Sequence, residues 1–210
     1  MLAFVLDAAE RVTGTRPLVV VSPATAAVRT SFEDRVDYVL QEDPRGTGDA
    51  LRVAIAAVPP DVDEILVLSG DVPRVTVGLL ADLLEQRRLD HAALAVVAVA
   101  AYDPSGLGRV VRNDAGAVER IVEERDASDD ERDLVEINAG LYAFDAAWLR
   151  GRIGSLVPSP STGEIYLTEL VALARADGRL VAALDADDDG RLTGINDRAQ
   201  LAQAEWDMRT

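Results

Sequence analysis

"YVLQEDPRGTGDALRVAIAAV" spans Tyr38–Val58 and decides how the chain is read. An apolar run ends at Gln41, and apolar residues at helical spacing resume after Gly46-Thr47-Gly48. A strand followed at once by a helix is half of a crossover unit, the building block of a parallel sheet. In open α/β sheets ligands collect at the carboxyl ends of the strands, and Gln41 stands at such an end. Two readings of the junction stay open on spacing. In one, the glycines make a tight turn and Thr47 caps the helix. In the other, Gly46 lets a ligand approach the main chain and Thr47 offers a hydroxyl. The free amides of the first helical turn then donate, and Gln41, which both donates and accepts, pairs with a base edge.

The same rhythm extends on both sides. Residues 2–13 read as a helix closed by Gly14. "PLVVVSP" (17–23) reads as a buried strand, 24–32 as a short helix and 36–41 as a strand. The helix after the glycines ends before Pro59-Pro60. "EILVLSGDVP" (64–73) is a strand that stops at Gly70-Asp71, and a helix follows over 76–89. The second half changes to strands at hairpin spacing, "AALAVVAVAA", "GRVVRN", "AVERIVEE" and "LVEINAGLYAF", with "NDAG" (113–116) as a turn. Helices near 145–153 and 165–177, a strand over 180–186 and a last helix opening near Asn196 complete the chain. The pattern predicts one α/β domain over residues 1–210 with a mixed, mainly parallel sheet.

Composition removes several function classes. The 210 residues carry a net charge of −16, and all 21 basic residues are Arg. No basic cluster exists that could track a nucleic acid or an anionic membrane. An anionic small substrate is compatible with an acidic protein, because a site can be locally positive or hold a metal ion. There is no Cys, which excludes disulfides, thiolate metal sites and a Cys nucleophile. "ALAVVAVAAY" (Ala93–Tyr102) is about half the roughly 20 apolar residues a membrane span needs. The first residues lack the features of a signal peptide, so a cytoplasmic location is expected.

Two more groups of residues could carry chemistry. Asp71 follows an apolar strand directly, where a hard cation such as Mg²⁺ would take one carboxylate and complete its shell with phosphate oxygens. The plainer reading is a turn-forming Asp before Pro73. Gly108, Glu123 and Asn138 lie in or beside strands of the second half. Buried polar groups there must be satisfied by neighbours or by ligand hydroxyls.

"VLQEDPRGTGDAL", "ILVLSGDVP", "DPSGLGRVV", "RIVEERDA", "EINAGLYAF", "GEIYLTEL" and "GINDRAQLAQAE" occur in that order. Together they resemble the pyrophosphorylase domain of bacterial N-acetylglucosamine-1-phosphate uridyltransferase, from near Met1 to about Glu205. The resemblance implies a Rossmann-like three-layer α/β/α nucleotidyltransferase fold. It implies that UTP and N-acetylglucosamine 1-phosphate are joined to UDP-N-acetylglucosamine with release of pyrophosphate. The uracil contacts fall on Gln41, Gly46 and Thr47. The "YGD" segment of the family falls on Ser69-Gly70-Asp71, with Gly70 on the nucleotide side. Asp71 and Asn196 would hold Mg²⁺. The acetamido-sugar contacts fall on Gly108, Glu123 and Asn138, and Tyr166 and Thr168 line the sugar-phosphate site.

The chain departs from that family in three places. The glycine-rich triphosphate loop and the first strand that carries it have no counterpart, and Gly14-Thr15-Arg16 follows a helix where the loop would follow a strand. No Lys stands in for the family's lysine, and Ser69 replaces a Tyr. The acetyltransferase half of the bifunctional enzyme is not represented. The expectations are therefore an enzyme whose start precedes Met1, or a non-catalytic protein that binds a nucleotide sugar. A third is a pyrophosphorylase for another sugar or base. "DADDDG" (185–190) matches only the first half of a calcium loop and follows a strand. "ERDASDDERD" (124–133) reads as a solvated loop, and His91, the single histidine, as a surface residue.

Overall fold

The computed structural model describes residues 1–32, 35–187, 190–195 and 197–207. The chain begins with α1 (Leu2–Thr13), β1 (Leu18–Val21), a 3₁₀ turn (Ala26–Ser31), β2 (Asp37–Leu40), α2 (Thr47–Ile55), β3 (Glu64–Leu68) and α3 (Val77–Leu89). It continues with β4 (Leu94–Ala100), β5 (Arg109–Arg112), β6 (Val118–Val122), α4 (Asp129–Arg132) and β7 (Glu136–Asp145). The last elements are α5 (Ala146–Arg152), a short 3₁₀ turn (Ile153–Ser155), α6 (Glu169–Ala176), β8 (Val181–Ala186) and α7 (Arg198–Asp207). Gly14 closes α1 in the left-handed conformation, φ 65°, with its N–H on the Glu10 carbonyl.

The strands form a six-stranded mixed sheet and a separate parallel pair, β1–β2. In the large sheet β7 is the hub. It runs antiparallel to β4 on one side, and to β3 and β5 on the other. β8 lies parallel to β4, and β6 antiparallel to β5. It follows that β3, β4, β5 and β8 point one way while β6 and β7 run against them. The majority direction is the one the crossover rhythm predicts. Most hydrogen-bonded neighbours are nevertheless antiparallel, because β7 is inserted between strands that share a direction. Among the described residues β1 pairs only with β2 and β3 only with β7, so each has one edge without a strand.

Two apolar layers cover the large sheet. On one face Leu94, Val96, Tyr142 and Phe144 pack with Trp148 and Leu149 of α5, Leu170 and Val171 of α6 and Leu51 of α2. On the other, Ala95, Val97, Ile137 and Leu141 pack with Val5 and Ala8 of α1 and Leu80, Leu83 and Leu84 of α3. β4 alternates between the two layers and is buried from Leu94 to Val99. Each fully buried Leu or Val contributes about 1.5–3 kcal/mol, so its run of β-branched residues is stable only with helices on both sides. No helix among the described residues is long and apolar enough to cross a membrane.

Two elements differ from the sequence reading. The helix expected from residue 165 starts at Glu169. The Ile165 N–H bonds to the Arg45 carbonyl at 2.7 Å and the Ile165 carbonyl accepts from the Gly48 N–H at 2.8 Å, so this segment is tied to another part of the chain. The acidic loop 124–133 holds one turn of helix, α4, closed by a capping box between Ser128 and Glu131.

Candidate active site

The site is built on the tethered segment 165–168. Gly46 has φ 112° and ψ 176°, a backbone conformation essentially restricted to glycine. A Cβ there would lie 2.5 Å from the Ile165 carbonyl oxygen. A Cβ on Gly48 would lie 2.9 Å from the Tyr166 carbonyl carbon. The Thr47 hydroxyl accepts from the Leu167 N–H at 3.0 Å and makes no cap bond to its own helix. Both glycines are therefore required by the backbone that approaches them, and Thr47 holds the segment that leads into α6 in place of capping α2.

Gln41 is buried beneath this junction. Its amide nitrogen donates to Asp49 Oδ2 at 2.8 Å and to the Gly46 carbonyl at 3.4 Å. A carboxylate only accepts, so the nitrogen must face Asp49. Burial works against the Asp49 charge, but hydrogen bonds from Gln41 and Arg52 and the charges of Arg45 and Arg52 outweigh it. They hold its pKa below the ordinary value. Asp49 is 2% exposed and sets the orientation of the Gln41 amide. The sequence reading missed it; its signal was a carboxylate in the first turn of the helix that follows Gln41.

The other end of the segment carries Thr168, which is buried and donates to Glu123 Oε1 at 2.8 Å. Burial raises the Glu123 pKa; the Thr168 hydroxyl opposes the shift, and the negative charges of Asp126, Glu164 and Glu169 add to it. Glu123 lies against Gly108, where a Cβ would sit 3.5 Å from Oε2 and 3.2 Å from Ile121. The Gly108 carbonyl accepts from the Asn138 N–H at 2.9 Å. The Asn138 side chain turns back to accept from the Gly140 N–H at 3.0 Å. The Tyr166 hydroxyl is engaged with Thr162 at 2.7 Å. Behind the Gly108–Glu123 pair, buried Arg109 bonds to the Leu134 carbonyl at 3.0 Å and pairs with Glu124 at 2.7 Å, which fixes the two strands together.

Gly140 links this group to Asp71. Its φ is 72°, and an added Cβ would collide with the Ser69 hydroxyl. The Ser69 N–H bonds to its carbonyl at 3.0 Å. The small Ser69 is thus matched to a bare Gly140 across the β3–β7 pair. Gly70 is exposed, and an added Cβ would make only an ordinary contact with Leu2. The Asp71 carboxylate rests against Gly194, where a Cβ would stand 2.9 Å from Oδ2. The Asp71 carbonyl accepts from the Ile195 N–H at 2.9 Å. Asn196 lies outside the described residues.

A continuous path of direct contacts and short covalent links therefore runs from Asp71 through Ser69, Gly140, Asn138, Gly108, Glu123 and Thr168 to Thr47 and Gln41. The three-layer α/β/α fold gathers a buried amide, a glycine-lined helix start and two carboxylates near its strand ends, and the class of protein it belongs to is the nucleotidyltransferases. The chain belongs to the MobA-like NTP transferase domain family, which matches residues 1–136. It is 40% identical over 205 residues to the bifunctional protein GlmU of Heliobacterium modesticaldum, covering 98% of this chain and 45% of that protein. It is 42% identical over 169 residues to the bifunctional protein GlmU of Mycobacterium avium, covering 80% of this chain and 34% of that one. The chain thus spans less than half the length of these relatives. The solved CMP:2-keto-3-deoxy-manno-octonic acid synthetase complexed with CTP superposes with a TM-score of 0.69 at 18% identity, over 99% of this chain and 87% of that one. That likeness concerns the fold.

Proposed function

We propose that the chain transfers a uridylyl group to N-acetylglucosamine 1-phosphate, giving UDP-N-acetylglucosamine and pyrophosphate, and that it does so in the cytoplasm. One observation carries the reading. The segment 165–168 is bonded at one end to the Gly46-Thr47-Gly48 junction and at the other to Glu123. In this reading it joins the residues assigned to the nucleotide, Gln41, Gly46 and Thr47, to those assigned to the sugar, Gly108, Glu123, Asn138, Tyr166 and Thr168, and Gly70 beside Asp71 serves the nucleotide from the end of β3. The resemblance of the ordered motifs to the uridyltransferase family favours uracil and the acetamido sugar over other bases and sugars.

The chemistry needs positioning more than proton transfer. The sugar phosphate is largely a dianion near neutral pH, its second pKa being about 6. One of its oxygens bonds to the α-phosphorus of UTP while the bond to the bridging oxygen breaks and pyrophosphate departs with the electron pair. The protein holds the attacking and leaving oxygens in line across the α-phosphorus and offsets the charge of the phosphates.

The donor set at Asp71 suits Mg²⁺. One carboxylate is held beside Gly194, and the Ile195 N–H is tied to the Asp71 carbonyl. In this reading the next residue, Asn196, adds a second oxygen. Mg²⁺ takes few protein ligands and completes its shell with phosphate oxygens and water. When bound it would neutralise charge on the triphosphate.

The test is pyrophosphate release from UTP and N-acetylglucosamine 1-phosphate with and without Mg²⁺, in the wild type and Asp71→Asn. Release that needs both substrates and Mg²⁺, and that is lost in the variant, is expected. Release with another base or sugar would move the substrate assignment. Binding of UDP-N-acetylglucosamine with no release would favour the non-catalytic binding protein.

A further inference from the structure

A free glutamine amide can offer a ligand either end, because it both donates and accepts. The packing around Gln41 removes that choice. Its nitrogen is turned inward, onto Asp49 Oδ2 at 2.8 Å and the Gly46 carbonyl at 3.4 Å. Among the described residues nothing donates to its side-chain oxygen, and that oxygen is not one of the enclosed polar atoms. Gln41 lines a cavity of about 450 Å³ together with Asp49, Arg45 and Arg52 and the apolar Leu40 and Val53. The oxygen is the end of the amide left for an occupant of that cavity.

Asp49 fixes this direction, and its own geometry is fixed in turn. Its Oδ1 takes the Arg52 guanidinium and Arg45 at 3.5 Å, two groups that only donate. Its Oδ2 is left to Gln41, and an ionised carboxylate can only accept there. A Gln41 amide turned the other way would set its oxygen against Oδ2, with both atoms bearing lone pairs in a buried place. The order Arg52, Asp49, Gln41 therefore ends in an outward acceptor. Such an acceptor suits a base whose ring carries an N–H at N3, as uracil does. Cytosine meets it with a bare nitrogen at N3, which is itself an acceptor.

We propose that Asp49 is a positioning residue for base selection: it holds Gln41 as an obligate acceptor and so favours an imide N–H, as in uracil, over cytosine. The inference rests on the function proposed above and adds a specificity-determining residue that stands behind its nucleotide end.

UDP and CDP are titrated calorimetrically into the wild type, Asp49→Asn and Asp49→Ser, each below its melting temperature. In Asp49→Asn the one acceptor oxygen goes to the two arginines, the NH₂ faces Gln41, and Gln41 must turn its own oxygen inward. The wild type should prefer UDP, and Asp49→Asn should lose about tenfold or more of that preference over CDP. Asp49→Ser has a hydroxyl that accepts or donates, so it admits both orientations and should lose part of the preference. It carries the test if Asp49→Asn does not fold. An unchanged ratio in the folded variants overturns the role of Asp49 and leaves the uridylyltransferase reading intact. An equal loss for both nucleotides overturns it as an effect on the fold. If the wild type binds both equally, or neither, the proposed function fails and the inference with it.

Discussion

The Thr47 hydroxyl holds the Leu167 amide at 3.0 Å across 120 residues of chain. It ties the start of α2 to the segment that leads into α6, and Leu167 is buried at that point. Removing the acceptor leaves a buried N–H without a partner, a loss of about 1–3 kcal/mol. Thr47→Val should lower the urea midpoint accordingly, and Thr47→Ser should restore it. If Thr47→Val unfolds like the wild type, the bond does not hold the segment.

Gly46 and Gly48 should both resist a methyl group. Gly46→Ala combines a glycine-only conformation with a Cβ 2.5 Å from the Ile165 carbonyl oxygen. Gly48→Ala drives a Cβ to 2.9 Å from Tyr166 backbone. Strain and overpacking of this kind cost about 1–3 kcal/mol each, so Gly46→Ala should be the more damaging. Gly78→Ala, inside α3 with nothing within 4 Å, is the control. It should stabilise by about 0.4–1 kcal/mol. Thermal melts of the three variants decide whether close approach or glycine content is the cause.

Asp49 should govern acid stability. Its folded pKa lies below the ordinary 3.8 despite burial, because Gln41, Arg52 and Arg45 favour the charge. A depressed carboxylate contributes stability above the unfolded value and loses it as the pH falls through the folded one. Asp49→Asn should be less stable than the wild type at neutral pH, with the gap closing as the pH drops below 3.8. Urea unfolding across that range checks it; a constant gap would count against the role of the charge.

Glu123 should act with the opposite sign. Burial raises its folded pKa above the ordinary 4.5, with Asp126, Glu164 and Glu169 reinforcing the shift against Thr168. The native state then holds a proton the unfolded chain releases, and stability falls as the pH rises from 4.5 through the folded value. Glu123→Gln should flatten that fall and be more stable than the wild type at neutral pH without ligand. A variant with the same slope would show that another group titrates there.

Much of the fold was legible because its signals are local. The bounds of α1, its Gly14 cap and the helix over 77–89 follow from apolar spacing and from a residue suited to a left-handed cap. The strand ends at Gln41 and Ser69-Gly70-Asp71 were readable for the same reason. Segment 165–168 was misread as helix. Its apolar pattern suits one, and the partners that prevent it, Arg45 and Gly48, lie more than a hundred residues away.

The sequence by itself determined the crossover rhythm, the acidic net charge with arginine as its basic residue and the ordered motifs that point to the candidate site residues. It did so because periodicity, turn chemistry and motif order are properties of neighbours along the chain. Only the tertiary structure decided what those residues touch. It set Asp49 behind Gln41, matched Ser69 to Gly140, and made Gly46 and Gly48 obligatory through the backbone of Ile165 and Tyr166. Burial, close approach and the pairing of charges depend on which distant segments share a volume, and that is fixed when both faces of the sheet are covered.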